Sequence, residues 1–244
     1  MRKISILLTL CCMLSLPMSD ASADIYPRNA AVGIASMQDG VTDVFRLREA
    51  VNLYDVSITP DTQIDLSYPL AQGSVVYVVF DKTIAPGEEI VNASVTAARI
   101  SDVSYDVQVY QEPIDLGALQ TKVGNPLIGE VEAVFPEGTD LAELAGKFIH
   151  AEVEPLSGTA SLPLVKVISF EETNFLSGDV LEMTEDGFVI RLTLFGTSGD
   201  VRVRMTEDTM CVHELRPGMA VEVMYIGEES PEEVDALTIW VAYG

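Results

Sequence analysis

The stretch VRVRMTEDTMCVHELRPGMAVEVMYIG, Val201 to Gly227, decides how the chain is read. Val201 and Val203 alternate with Arg202 and Arg204, and a polar turn then ends in Thr209. Leu215 and Gly218 follow, and a second alternation places Val221, Val223 and Tyr225 on one face. Apolar residues at period two mark a strand with one buried side. The stretch therefore reads as strand, turn and strand, with Cys211 and His213 inside that plan rather than in a catalytic loop.

The same plan occurs twice more. Val56 to Phe80 reads VSITPDTQIDLSYPLAQGSVVYVVF, and Val131 to Val153 reads VEAVFPEGTDLAELAGKFIHAEV. Each has an apolar strand, a turn ending in Thr (Thr62, Thr139, Thr209), a leucine (Leu70, Leu144, Leu215) and a glycine (Gly73, Gly146, Gly218). At identical offsets beyond the glycine stand Val76, Val78 and Phe80; Ile149, Ala151 and Val153; and Val221, Val223 and Tyr225. One face of the same strand is thus expected to be buried three times. Closing strands are expected to end near Ile100, Val167 and Ile239. The openings Gly33 to Gly40 and Gly178 to Gly187 are alike, whereas the middle copy has a different first half.

Helical periodicity is scarce. Short β-branched runs such as Val75–Phe80 and Val107–Tyr110 alternate with turn signals at Asp39-Gly40, Gly73-Ser74, Glu137-Gly138 and Asp186-Gly187, which indicates an all-β chain of short strands. Five strands per copy, with a short turn or helical connection before the fourth, is the plan of a small Greek-key barrel. Thr139 to Gly146 fits that connection as a capping threonine, one helical turn and a stopping glycine. The T…L…G…V-x-V-x-[FYV] pattern resembles the OB-fold-like repeat domains of unknown function found in exported bacterial proteins. The resemblance implies three small OB-like β-barrel units in tandem outside the cytoplasm and assigns no catalytic residue. The units are expected at 24–103, 104–172 (divergent) and 173–244, after a signal peptide at 1–23.

That signal peptide is read from Arg2 and Lys3, the apolar run Ile4 to Met18, and the small-x-small site Ala21-Ser22-Ala23. The apolar run is shorter than a membrane span. Lipoprotein processing at Cys11 is disfavoured because Leu10 occupies a position that calls for a small residue. Cleavage before Asp24 makes the protein exported, periplasmic or extracellular, with no membrane insertion after signal removal.

The full chain carries 14 basic and 38 acidic residues. Removing Arg2, Lys3 and Asp20 with the leader leaves 12 against 37, a formal charge of −25. Such a field repels nucleic acid, whose binding depends on Lys and Arg against phosphate. Only Cys211 remains in the mature chain, so the fold is expected to rest on its apolar core rather than on a disulfide.

Candidate sites are few. Cys211 and His213 lie two apart on a strand, a geometry that suits two metal ligands. However, the counterparts of Cys211 in the other copies are Ile64 and Leu141, so it reads as a core residue. His150 shares an outward offset with Tyr77 and Glu222 and is expected to face solvent. Glu228, Glu229, Glu232, Glu233 and Asp235 form an acidic run that is a candidate cation site, since calcium takes several carboxylate oxygens. The run lacks the spacing of an EF-hand and also reads as a solvated hairpin connection. Tyr77 and Trp240 are the aromatic candidates for ligand contact, with Trp240 read as exposed and Tyr225 as inward. Nucleophile elbows, phosphate loops and dinucleotide glycine patterns are absent, and Gly196 to Gly199 reads as a hairpin turn.

The expectation is an exported, non-catalytic binding or adaptor protein without cofactor, whose partner is an envelope or extracellular protein or glycan. The alternatives are a calcium- or other cation-binding structural protein, and an enzyme with an unrecognised carboxylate site. Sequence leaves the oligomeric state open.

Overall fold

The computed structural model describes residues 26–37, 43–49, 52–66, 68–86, 94–102, 105–111, 115–159, 162–193, 199–228 and 231–242. The expected signal peptide, the Asp39-Gly40 turn, Gly196 to Ser198 and Glu229 lie outside the described residues. The described chain is all-β, in two large sheets, with a single helical turn. No helix among the described residues is long and apolar enough to cross a membrane.

The first sheet contains β1 (Arg28–Met37), β2 (Val44–Glu49), β3 (Asn52–Ser57), β4 (Gln63–Asp65), β5 (Val75–Ile84) and β6 (Ser94–Asp102). Antiparallel pairing runs β1–β2–β3, a parallel contact joins β3 to β6, and antiparallel pairing returns through β5 to β1. β4 continues along the same edge of β6, pairing Ile64 with Ile100.

The second sheet contains β7 (Tyr105–Val109), β8 (Gln120–Asn125), β9 (Gly129–Val134), β10 (Phe148–Thr159), β11 (Leu162–Met183), β12 (Gly187–Leu192), β13 (Asp200–Cys211), β14 (Ala220–Tyr225) and β15 (Glu233–Val241). Two further circuits run through it. The second circuit goes β7–β8–β9, then by a parallel contact to β11, and back through β10 to β7. The third goes β11–β12–β13, by a parallel contact to β15, and back through β14 to β11. β11 belongs to both: it pairs with β10 as far as Thr173 and with β14 from Asn174.

One device recurs in all three circuits. Gly73, Gly146 and Gly218 have φ of 88°, 85° and 88°, a left-handed backbone that a Cβ disfavours. Their amides donate to the carbonyls of Ala35 (2.9 Å), Val109 (2.8 Å) and Val180 (2.7 Å). The amides of those residues donate back to Ser74 (2.7 Å), Lys147 (2.9 Å) and Met219 (2.8 Å). Each glycine thus fastens the entry of the fourth strand to the end of the first. The strands beyond it alternate as the spacing requires: Val76, Val78, Phe80, Ile149, Ala151, Val221, Val223 and Tyr225 are buried. Val153 is only half-buried, because the β10–β11 register shifts between Glu152 and Val153.

The helical turn α1 (Leu141–Leu144) sits where the middle copy predicts it, but its cap is Asp140 rather than Thr139. The Asp140 carboxylate accepts from the amides of Ala142 (3.0 Å) and Glu143 (3.2 Å), whereas Thr139 closes a turn onto Pro136.

Among the described residues, three apolar clusters hold the molecule together. Two lie inside the first and third circuits. The largest combines the interior of the second circuit with the outer faces of the other two: Ala30, Val32 and Ile34 from β1, and Met210, Val212, Met224 and Trp240 from the third circuit. β1 is therefore buried on both sides, with Ala31 and Ala35 facing its own circuit and Ala30, Val32 and Ile34 facing the shared centre. The three circuits pack around one common core rather than standing apart along the chain.

Candidate functional site

Two buried polar residues, Asp106 and Thr238, meet where the second and third circuits join. Asp106, on β7, is buried; its Oδ1 lies 2.7 Å from His150 Nδ1 on the neighbouring β10. The other carboxylate oxygen accepts a hydrogen bond from the Thr238 hydroxyl on β15 of the third circuit. Asn125 Nδ2 donates to the Asp106 carbonyl at 2.8 Å. The hydrogen bond to Asp106 holds the His150 pKa above the ordinary imidazole value, with partial burial opposing the shift. His150 is half-buried and hydrogen-bonded to Asp106, which corrects the expectation of a solvent-facing residue. The sequence pattern placed it correctly outside its own circuit, but the space outside is filled by the shared junction.

The same correction applies to Tyr77 and Trp240. Tyr77 donates its hydroxyl to the Cys211 carbonyl at 3.3 Å, from the first circuit to the third, and burial pushes its pKa up to about 12. Trp240 is 4% exposed, not a solvent-facing aromatic. Its ring lies 5.9 Å from Phe175, which stacks on Phe148 at 5.3 Å, so an aromatic row links the second and third circuits. A register shift between Met224 and Tyr225 in the β14–β15 pairing turns Trp240 outward from its own circuit, into the shared core. Its indole N–H donates to Glu222, whose carboxyl is raised by burial. Tyr225 is inward and buried, as its offset requires.

The first circuit is also tied by polar contacts. Arg28 and Glu49 form a buried ion pair at 2.6 Å, and Arg28 also donates to the Tyr54 hydroxyl at 3.3 Å. Arg28 bridges His213 across the sheets, and the Glu214 amide donates to the Pro27 carbonyl at 3.0 Å. Thr83 donates to Glu214 Oε1 at 2.9 Å.

Cys211 is buried in the core of the third circuit, and burial pushes its thiol up to about 11. Its Sγ lies 3.3 Å from the His213 carbonyl oxygen, while the His213 ring packs edge-on to Tyr26 with centroids 6.3 Å apart. Cys211 pairs with Ile239 as Ile64 pairs with Ile100, yet Ile64 is 54% exposed. Equivalent positions in the strand pairing therefore have different surroundings.

Within the acidic run, the carboxylates of Glu233 and Asp235 are engaged by arginines of β13. Arg202 lies 3.4 Å from Glu233, and Arg204 lies 3.5 Å from Glu233 and 2.6 Å from Asp235. Glu232 contributes its carbonyl to the Arg202 amide, and the Glu228 carbonyl accepts from Tyr225. Arg202 also pairs with Asp186 at 2.8 Å and holds its carboxyl below the usual range. These groups form an ion-pair ladder on the outer face of β12, β13 and β15. Among the described residues, no cluster of three or more His, Cys, Asp or Glu is arranged to hold a metal. Among the described residues, the carboxylates of Glu49, Asp106 and Glu222 are withdrawn from water and each has its own partner.

The sequence pattern missed Asp106 and Thr238, which stand 132 residues apart. A charged residue at the second position of β7, between Tyr105 and Val107, is the only local signal of the junction. It also missed exposed apolar side chains on turns, including Leu116 and Ile226. In comparison with known proteins, the chain matches no protein-family model and no curated protein.

Proposed function

We propose that the chain is an exported, non-catalytic binding protein of three OB-like units, which presents the outer faces and loops of a rigid body to an envelope or extracellular protein or glycan. The unit reading is supported by strand order: in each circuit the first strand pairs with the second and fourth, and the third meets the fifth in parallel. That is the order of a small Greek-key barrel. The observation that carries the functional reading is the use made of the interior polar groups. Asp106, His150, Thr238, Tyr77, Glu222 and Arg28 are engaged in joining strands and circuits to one another. The described exterior is acidic and carries exposed apolar turn residues such as Leu116 and Ile226.

The test is crosslinking and capture of a C-terminally tagged chain from its host's envelope and medium, with the mature N-terminus read by mass spectrometry. The expected result is a chain beginning at Asp24 and a reproducible partner that is lost in L116S or I226S. Retention of the leader, or failure to recover a partner under conditions that crosslink a known envelope complex, overturns the proposal.

A further inference from the structure

We propose that His150, Asp106 and Thr238 form a pH-sensitive latch between the second and third circuits, closed in mild acid and loosened as His150 loses its proton. The geometry is that of a bridge. Asp106 reaches His150 with one oxygen and Thr238 with the other, so one buried carboxylate connects β10, β7 and β15.

Charge makes the bridge conditional. With His150 protonated, the buried carboxylate faces a cation at 2.7 Å and a hydroxyl donor from the opposite circuit. Once the imidazole is neutral, the buried carboxylate has only neutral donors in surroundings poor in water. A buried charge without a counter-charge is unfavourable. Water relieves it most directly by entering between β7 and β15, which parts Asp106 from Thr238. Of the other charged groups near His150, Glu171 reinforces the protonated state. Glu171 is its cross-strand neighbour on β11, and Glu152 lies two residues along β10 on the same face. Asn125 on β8 holds the Asp106 backbone and does not titrate.

The direction follows from linkage. The imidazole binds its proton more tightly in the folded chain than in the unfolded one, so its stabilising contribution is fully present below the ordinary imidazole pKa. It is lost as pH rises through the higher folded value.

The chain supplies its own reporters. Trp240, the sole tryptophan, lies two residues beyond Thr238 on the same strand, and His150 and His213 are the only histidines. Imidazole resonances of the full-length mature chain give the His150 titration, assigned with H150Q, and acrylamide quenching of Trp240 reports opening of the junction. The expected result is a His150 midpoint above the ordinary imidazole value and a rise in quenching at that same midpoint. H150Q, which retains an amide donor but no titration, is expected to lose the rise. Glu222 also touches Trp240 and its carboxyl is raised by burial, so E222Q is expected to remove any step that Glu222 contributes while keeping the His150-linked one. Three outcomes overturn the latch: a His150 midpoint at or below the ordinary value, quenching that stays flat across the His150 titration, or the same rise in H150Q.

Discussion

At the scale of single residues, the molecule separates packing from display at positions where sequence suggested display. Trp240 lies against Phe175 in the shared core, so W240A removes a large ring from a filled site. The expected loss is about 3–5 kcal/mol of stability by urea denaturation. A tryptophan that served only an external ligand would leave stability unchanged. Cys211 yields a second expectation. With its thiol pushed up to about 11, the thiolate fraction at neutral pH is on the order of one in ten thousand. Labelling by a thiol-exchange reagent is expected to be slow in the native protein and fast once denaturant unfolds it; rapid native labelling would show that the thiol is reachable. Gly218 tests backbone conformation apart from space, since a Cβ there would meet nothing within 4 Å. G218A is expected to cost about 1–2 kcal/mol, the penalty of holding an L-residue left-handed. G218N is expected to cost less, because asparagine tolerates that region.

At the scale of elements, the first strand of each circuit is the most constrained. Gly33 and Gly178 stand two residues before the positions fastened by the turn glycines. A Cβ on them would lie 2.4 Å from the Arg48 carbonyl oxygen and 2.3 Å from that of Arg191. These contacts are with backbone, which cannot swing aside. G178A is therefore expected to lower stability more than G218A in the same urea measurement, by forcing β11 from β12. Val107 takes the equivalent place in the second circuit, which accounts for the different opening of the middle copy. The strands themselves were legible because alternation, turn glycines and β-branched runs are local signals. The Asp140 cap was misread by one residue because Thr139 and Asp140 are both capping types, and only the bonds to Ala142 and Glu143 distinguish them. The junction was not legible for a different reason. Period two tells whether a side chain points into or out of its own circuit, and Tyr77, His150 and Trp240 do point out. What they meet there comes from strands up to 134 residues away, which alternation does not encode.

At the scale of the whole molecule, two forces oppose each other. A formal charge of −24 on the full chain drives its parts apart, and much of it lies on the surface where salt screens it. The shared core draws them together, because the outer faces of β1, β13, β14 and β15 are buried only while all three circuits are assembled. β11 adds a covalent element common to two of them, with Phe175 between Phe148 and Trp240 just beyond the point where it changes partners. Releasing one circuit would expose an apolar face of each neighbour, so partial unfolding carries a large cost and the intermediate is sparsely populated. Calorimetry of the protein at moderate salt is therefore expected to show one transition with matching calorimetric and van't Hoff enthalpies. Lower salt is expected to shift that transition downward without dividing it. W240A is expected to weaken the coupling itself and to broaden or divide the transition, whereas G218A, which acts within one turn, should only lower it. Separate transitions in the unaltered chain would show that the circuits fold independently and that the common core contributes little to holding them together.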